Sequence, residues 1–126
     1  MKVLLISDIH SDYNAAISAY CVSKPDFVLD CGDHHEIKNL FEFTPHFYIH
    51  GNHEPSKIFT PEDDLPLPNK LFTGQIIILR KNNLEVSITG LDGNYTDPFN
   101  EYAVNDLQLL KLSKIKQGEL DILLTH

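Results

Sequence analysis

The sequence predicts an α/β domain, and three observations carry that expectation. The first 50 residues alternate short apolar runs with two stretches read as helix, in the order strand, helix, strand, helix, strand. Four apolar runs each end in a polar motif: Asp8-Ile9-His10, Gly32-Asp33-His34-His35, Gly51-Asn52-His53-Glu54 and Thr125-His126. With 126 residues, 42% of them hydrophobic and 22% charged, the chain has the size and balance of one globular domain.

Residues 2–7, with Val3-Leu4-Leu5-Ile6 uninterrupted, read as a buried strand. Residues 13–23 have helical spacing, with Ala16, Ile17, Tyr20 and Cys21 to one side and Asp12 as N-cap. Pro25 stops that helix, and 26–31 form a second strand. A short helix is expected over 35–43, before Pro45, and a third strand over 46–50. The order implies a parallel sheet with right-handed crossovers, whose ligands bind beyond the carboxyl ends of the strands. The first three motifs sit at such ends, and the fourth is expected there too.

Residues 55–69 hold four prolines and read as a loop. Shorter strands are expected at 71–72, 75–79 and 84–90, with a turn at Lys81-Asn82-Asn83. Residues 91–100 read as loop. A helix is expected over 103–116 with Leu107, Leu110 and Ile115 inward, then a closing strand over 121–125.

The formal charge of −8 opposes coating of nucleic acid, which enters only as a phosphoester substrate. No run approaches the ~20 apolar residues of a membrane span, and MKVLLISDIH is too short for a signal peptide, so a cytoplasmic protein is expected. Cys21 and Cys31 are then expected as buried free thiols.

The motifs carry metal chemistry. Asp8 and His10 are one residue apart, so on an extended segment both side chains point the same way. Gly32 allows a sharp turn that brings Asp33 to the rim, where a carboxylate can bridge two ions about 3.5–4 Å apart. Asn52 offers an amide oxygen and His126 an imidazole, a mixed donor set suited to Mn, Fe, Zn, Co or Ni. Taken singly, Asp8 and Asp33 fit caps or turns, and His10 fits a surface histidine; it is their ordered recurrence that favours a metal. His34 and His35 read as exposed residues at a helix start, and Asp92 and Asn94 receive no role.

Together these residues resemble the calcineurin-like metallophosphoesterase family. The resemblance implies a layered α-β-β-α sandwich over residues 1–126, with 71–90 supplying strands of the second sheet. It implies two divalent metal ions, one held by Asp8, His10 and Asp33 and the other by Asp33, Asn52 and His126. It also implies that His53 acts on the leaving group or the transition state during phosphoester hydrolysis. Phosphoprotein phosphatases of the family extend the second motif to G-D-x-V-D-R-G. Residues 32–38 lack that arginine, which favours a phosphodiester or small phosphoester substrate. The family also supplies ligands from a downstream Gly-His-x-His, and His126 is the last residue of this sequence. The expected alternative is therefore a shortened, non-catalytic domain that keeps the fold and binds metal or a protein partner. Uncovered sheet edges in such a domain would favour a homo-oligomer.

Overall fold

The computed structural model describes residues 1–34, 44–52, 69–93 and 103–126. In chain order the elements are β1 (Val3–Ile6), α1 (Tyr13–Ser23), β2 (Phe27–Asp30), β3 (His46–Tyr48), β4 (Ile77–Lys81), β5 (Leu84–Leu91), α2 (Asp106–Leu112) and β6 (Ile122–Thr125). The fold is α/β, as expected, with two three-stranded sheets among the described residues. The helix expected over 35–43 lies outside them.

The first sheet is parallel in the order β1-β2-β3, with Leu5 opposite Leu29 and Leu29 opposite Phe47. Its connection between β1 and β2 is α1. Asp12 accepts the Ala15 amide at 3.2 Å and starts the helix. Lys24, in the left-handed region at φ 47°, ends it before Pro25. Ala16 is buried on Val28, with Leu4, Ile6, Ile9 and Tyr20 around them. Ile17 and Cys21, expected to point inward, are exposed instead. One residue further along a helix is about 100° further round. The stripe through Ala16 and Tyr20 therefore reaches the sheet, and the one through Ile17 and Cys21 does not.

In the second sheet β4 and β5 form an antiparallel hairpin, and β6 joins β5 in parallel. The hairpin turns at Asn82, φ 55°, where the polar pair predicted it. Residues 70–71 belong elsewhere than the sequence suggests: Lys70 bridges Tyr48, and the Leu71 amide donates to the Tyr48 carbonyl at 2.8 Å. That short segment extends the first sheet past β3, rather than contributing to the second.

One apolar cluster draws on both sheets: Phe27 and Leu29 from β2, Leu79 from β4, Ile88 from β5 and Leu124 from β6, with Ile49 and Leu71. Two expectations about burial fail at its margins. β1 is half uncovered, with Leu5 64% exposed, because it is an edge strand and the cluster is centred over β2. α2 is only seven residues long, framed by an Asn105–Gln108 capping box, and buries nothing. Leu107 and Leu110 are 61% and 53% exposed, and neither belongs to the apolar cluster shared by the two sheets.

Candidate metal centre

Strand ends bring the motifs together. Gly32, at φ 99°, turns the chain after β2, and a Cβ there would fall 2.3 Å from the Gly51 amide nitrogen. A Cβ on Gly51 would lie 1.9 Å from Asp33 Oδ1. Two glycines thus let the turns after β2 and β3 touch, and the second leaves room for the Asp33 carboxylate. The loop after β1 is tied in by two backbone bonds of 3.0 Å, from the Asp8 amide to the Gly32 carbonyl and from the His10 amide to the Asp33 carbonyl.

Asp8 and His10 do converge, though not by strand alternation. Both sit at positive φ, 54° and 40°, as does Asp33 at 56°. A side-chain-bearing residue in that region costs of order 1–2 kcal/mol, and such strain collects at functional sites. The backbone bends Asp8 and His10 onto Asp33 where an extended segment would have carried them past it.

Asp8, Asp33 and His126 each place one ligand atom within 4.8 Å of the others, and they are the one such group among the described residues. His10 Nε2 is 3.9 Å from Asp8 Oδ1 and 4.0 Å from Asp33 Oδ2. On the other side, His126 Nε2 is 3.4 Å from the same Asp33 oxygen and 2.9 Å from Asn52 Oδ1. Asp33 is buried at 1% and stands between half-exposed Asp8 and His10 and the largely buried His126. Ser7 donates its hydroxyl to Asp8.

His126 is oriented from behind. Its Nδ1 lies 2.9 Å from the Cys31 carbonyl, which can only accept, so Nδ1 carries the proton. That leaves Nε2 as the nitrogen facing Asn52 Oδ1 and Asp33 Oδ2. One imidazole nitrogen, one carboxylate oxygen and one amide oxygen there are donor atoms of the kind that can hold a metal ion. Burial, with Asp30 and Asp8 nearby, pushes the Cys31 thiol up.

A family model described as calcineurin-like phosphoesterase matches residues 1–126. The chain belongs to that family. Comparison with curated proteins and comparison with solved structures return no match. Calcineurin-like phosphoesterases use divalent metal ions, and the donor set fits them: two carboxylates, two imidazoles and an amide oxygen converge, with Asp33 facing both halves. No helix among the described residues is long and apolar enough to cross a membrane.

His53, expected to act in catalysis, and Glu54 lie outside the described residues, as do His35 and Asn94. His34 corrects the sequence reading: it is 6% exposed, not at the surface. Its ring packs edge-on against Tyr48 at 5.0 Å, and its Nδ1 is 3.3 Å from Asp30. Two residues to which the sequence reading gave no role have one. Asp92 accepts the His50 amide at 2.7 Å and pairs with Lys70 at 3.1 Å, bracing the turn that carries Asn52. Asp30 does the same for the turn that carries Asp33. A signal for Asp30 was present, since it is a charged residue inside the apolar run FVLDC. Asp92 gave none, because its partner is 42 residues away.

Proposed function

We propose that this chain hydrolyses a phosphodiester or another small phosphoester with two divalent ions, the first held by Asp8, His10 and Asp33 and the second by Asp33, Asn52 and His126. The observation that carries the reading is the corner where His126 Nε2, Asn52 Oδ1 and Asp33 Oδ2 face one another with the His126 Nδ1 proton already committed to Cys31. When bound, ions of the Mn, Fe, Zn, Co or Ni type supply Lewis acidity at phosphoryl oxygens and make water a nucleophile near neutral pH.

The chain's own residues do the rest. Asp33, buried and wedged against Gly51, is held still between the two halves of the site. Asp8 and His10 are half exposed, which leaves that side open to a substrate phosphate. His53 follows directly on Asn52 in the sequence, and we assign it to the leaving group or to the charge that grows on phosphoryl oxygens. The preference for diesters or small esters rests on the absence of arginine from residues 32–38, since that planar fork is what grips a protein-borne phosphate in the family's phosphatases. The reading takes residues 1–126 as one domain with the two sheets face to face between the helices, which the shared apolar cluster supports.

The test is turnover by the full chain with Mn²⁺ on bis-(p-nitrophenyl) phosphate, p-nitrophenyl phosphate and a phosphoserine peptide. Diester cleavage that needs metal, stops with chelator and falls in His53→Ala is expected. Metal binding with no turnover of any of the three would favour the non-catalytic domain, and preference for the peptide would overturn the substrate class.

A further inference from the structure

Behind the metal centre lies a polar cluster that the chemistry above does not use. Asp30, the last residue of β2, is fully buried at 0% exposure. Its Oδ1 accepts the Gly32 amide at 2.9 Å. Its Oδ2 lies 3.2 Å from His46 Nε2 and 3.3 Å from His34 Nδ1. A lone carboxylate at this depth would be strongly disfavoured, and two imidazoles and an amide are what it meets. Burial opposes its charge, but His34 and His46, with the Gly32 amide, outweigh burial and hold the carboxyl below the ordinary carboxylate range.

The Gly32 amide is the significant partner. Gly32 and Asp33 both occupy the left-handed region, at φ 99° and 56°. Successive residues of that kind are held only where their surroundings fix them. Asp30 Oδ1 closes the turn from two residues upstream, and the Gly32 carbonyl accepts the Asp8 amide on the next loop. A shift in this turn therefore moves Asp33 and Asp8 together.

We propose that Asp30 is a positioning residue for the metal centre: its Oδ1 fixes the Gly32–Asp33 turn so that the Asp33 carboxylate meets Asp8, His10 and His126. His34 and His46 act through it, by holding Oδ2 so that Oδ1 points at the Gly32 amide. The inference rests on the metal-binding reading given above, and concerns what sets the geometry of that site.

Two substitutions separate the acceptor from the charge. Asp30→Asn keeps an oxygen for the Gly32 amide and gives up the charge, its NH2 group donating to His34 and His46 in their other tautomers, whereas Asp30→Glu keeps the charge and displaces the acceptor by one methylene. Mn²⁺ affinity of the full metal-free chain, read by titration calorimetry, is expected to stay within about threefold in D30N. It is expected to fall by about 10- to 100-fold in D30E, the range seen when outer-shell partners of metal ligands are lost. Thermal unfolding read alongside shows how much of each chain is folded. D30E binding Mn²⁺ as tightly as the wild type, or D30N losing affinity as far as D30E, would overturn the proposal. If D30E does not fold, amide exchange at Gly32 in D30N decides: retained protection is expected, and its loss there overturns the idea. Wild-type chain that binds no Mn²⁺ would instead sink the metal-binding reading itself, so the two failures are distinct.

Discussion

His126 Nδ1 meets the Cys31 carbonyl at 2.9 Å across 95 residues of sequence, and that one contact decides which ring nitrogen faces Asp33 and Asn52. The carbonyl belongs to the residue just before Gly32, so the last residue of β6's continuation is docked onto the same turn that carries Asp33. Replacing His126 with alanine removes an imidazole donor and an orienting contact together. Mn²⁺ affinity of the His126→Ala chain should fall by at least the 10- to 100-fold, roughly, that loss of an outer-shell partner causes. Titration calorimetry on folded protein checks it, and unchanged affinity would remove His126 from the site.

Gly51 is constrained by space alone, since its φ is not among the positive ones. A methyl at that position would sit 1.9 Å from Asp33 Oδ1, on a carboxylate that is buried. Gly51→Ala should destabilise the fold by about 1–3 kcal/mol, as overpacking does, and should weaken Mn²⁺ binding as well. Denaturant unfolding and metal titration on the same preparation read the two effects. Tight binding in an unstrained variant would mean that Asp33 is not held as described.

Ile88 is at 0% exposure in the cluster that joins β2 to the second sheet. Ile88→Ala should cost about 2–5 kcal/mol, the transfer term plus an unfilled cavity. Because this cluster lies beneath the strands that lead to Asp33 and His126, the loss should appear in chemical denaturation even with metal present.

Asp121 and Ser87 clamp the entry to β6. The Ser87 amide and hydroxyl each donate to Asp121 Oδ2 at 2.8 Å, and the Asp121 amide donates back to the Ser87 hydroxyl at 2.9 Å. The backbone amide and then the hydroxyl of Ser87 hold the Asp121 carboxyl below the ordinary range. A depressed folded-state pKa means that the contribution is complete above the unfolded value, about 3.9, and is lost as pH falls through the folded one. Asp121→Asn should therefore lower Tm near neutral pH, and the gap to wild type should close progressively below about pH 4. A gap that persists undiminished at low pH would show that charge is not the relevant feature.

Much of this site was legible in the sequence, and the reason is local. Asp8, His10, Asp33 and Asn52 each follow an apolar run, and parallel strands deliver such positions to one rim. The α1 boundaries, the Asp12 cap and the turn at Asn82 were also set by neighbours within a few residues. What failed was whatever depended on a distant surface. The exposure of Leu107, Leu110, Ile17 and Cys21 was invisible, because a helix shows which residues share a face but not how wide a sheet it meets.

By itself the sequence determined the strand-end placement of the ligand candidates, the α/β class and the family to which their order belongs. Tertiary structure alone decided how those candidates meet. It set Asp8, His10 and Asp33 at positive φ, chose the His126 nitrogen that faces Asn52, and placed Asp30, His34 and Asp92 behind the turns. Those choices come from backbone bonds and packing between segments tens of residues apart, and no local pattern in the chain records them.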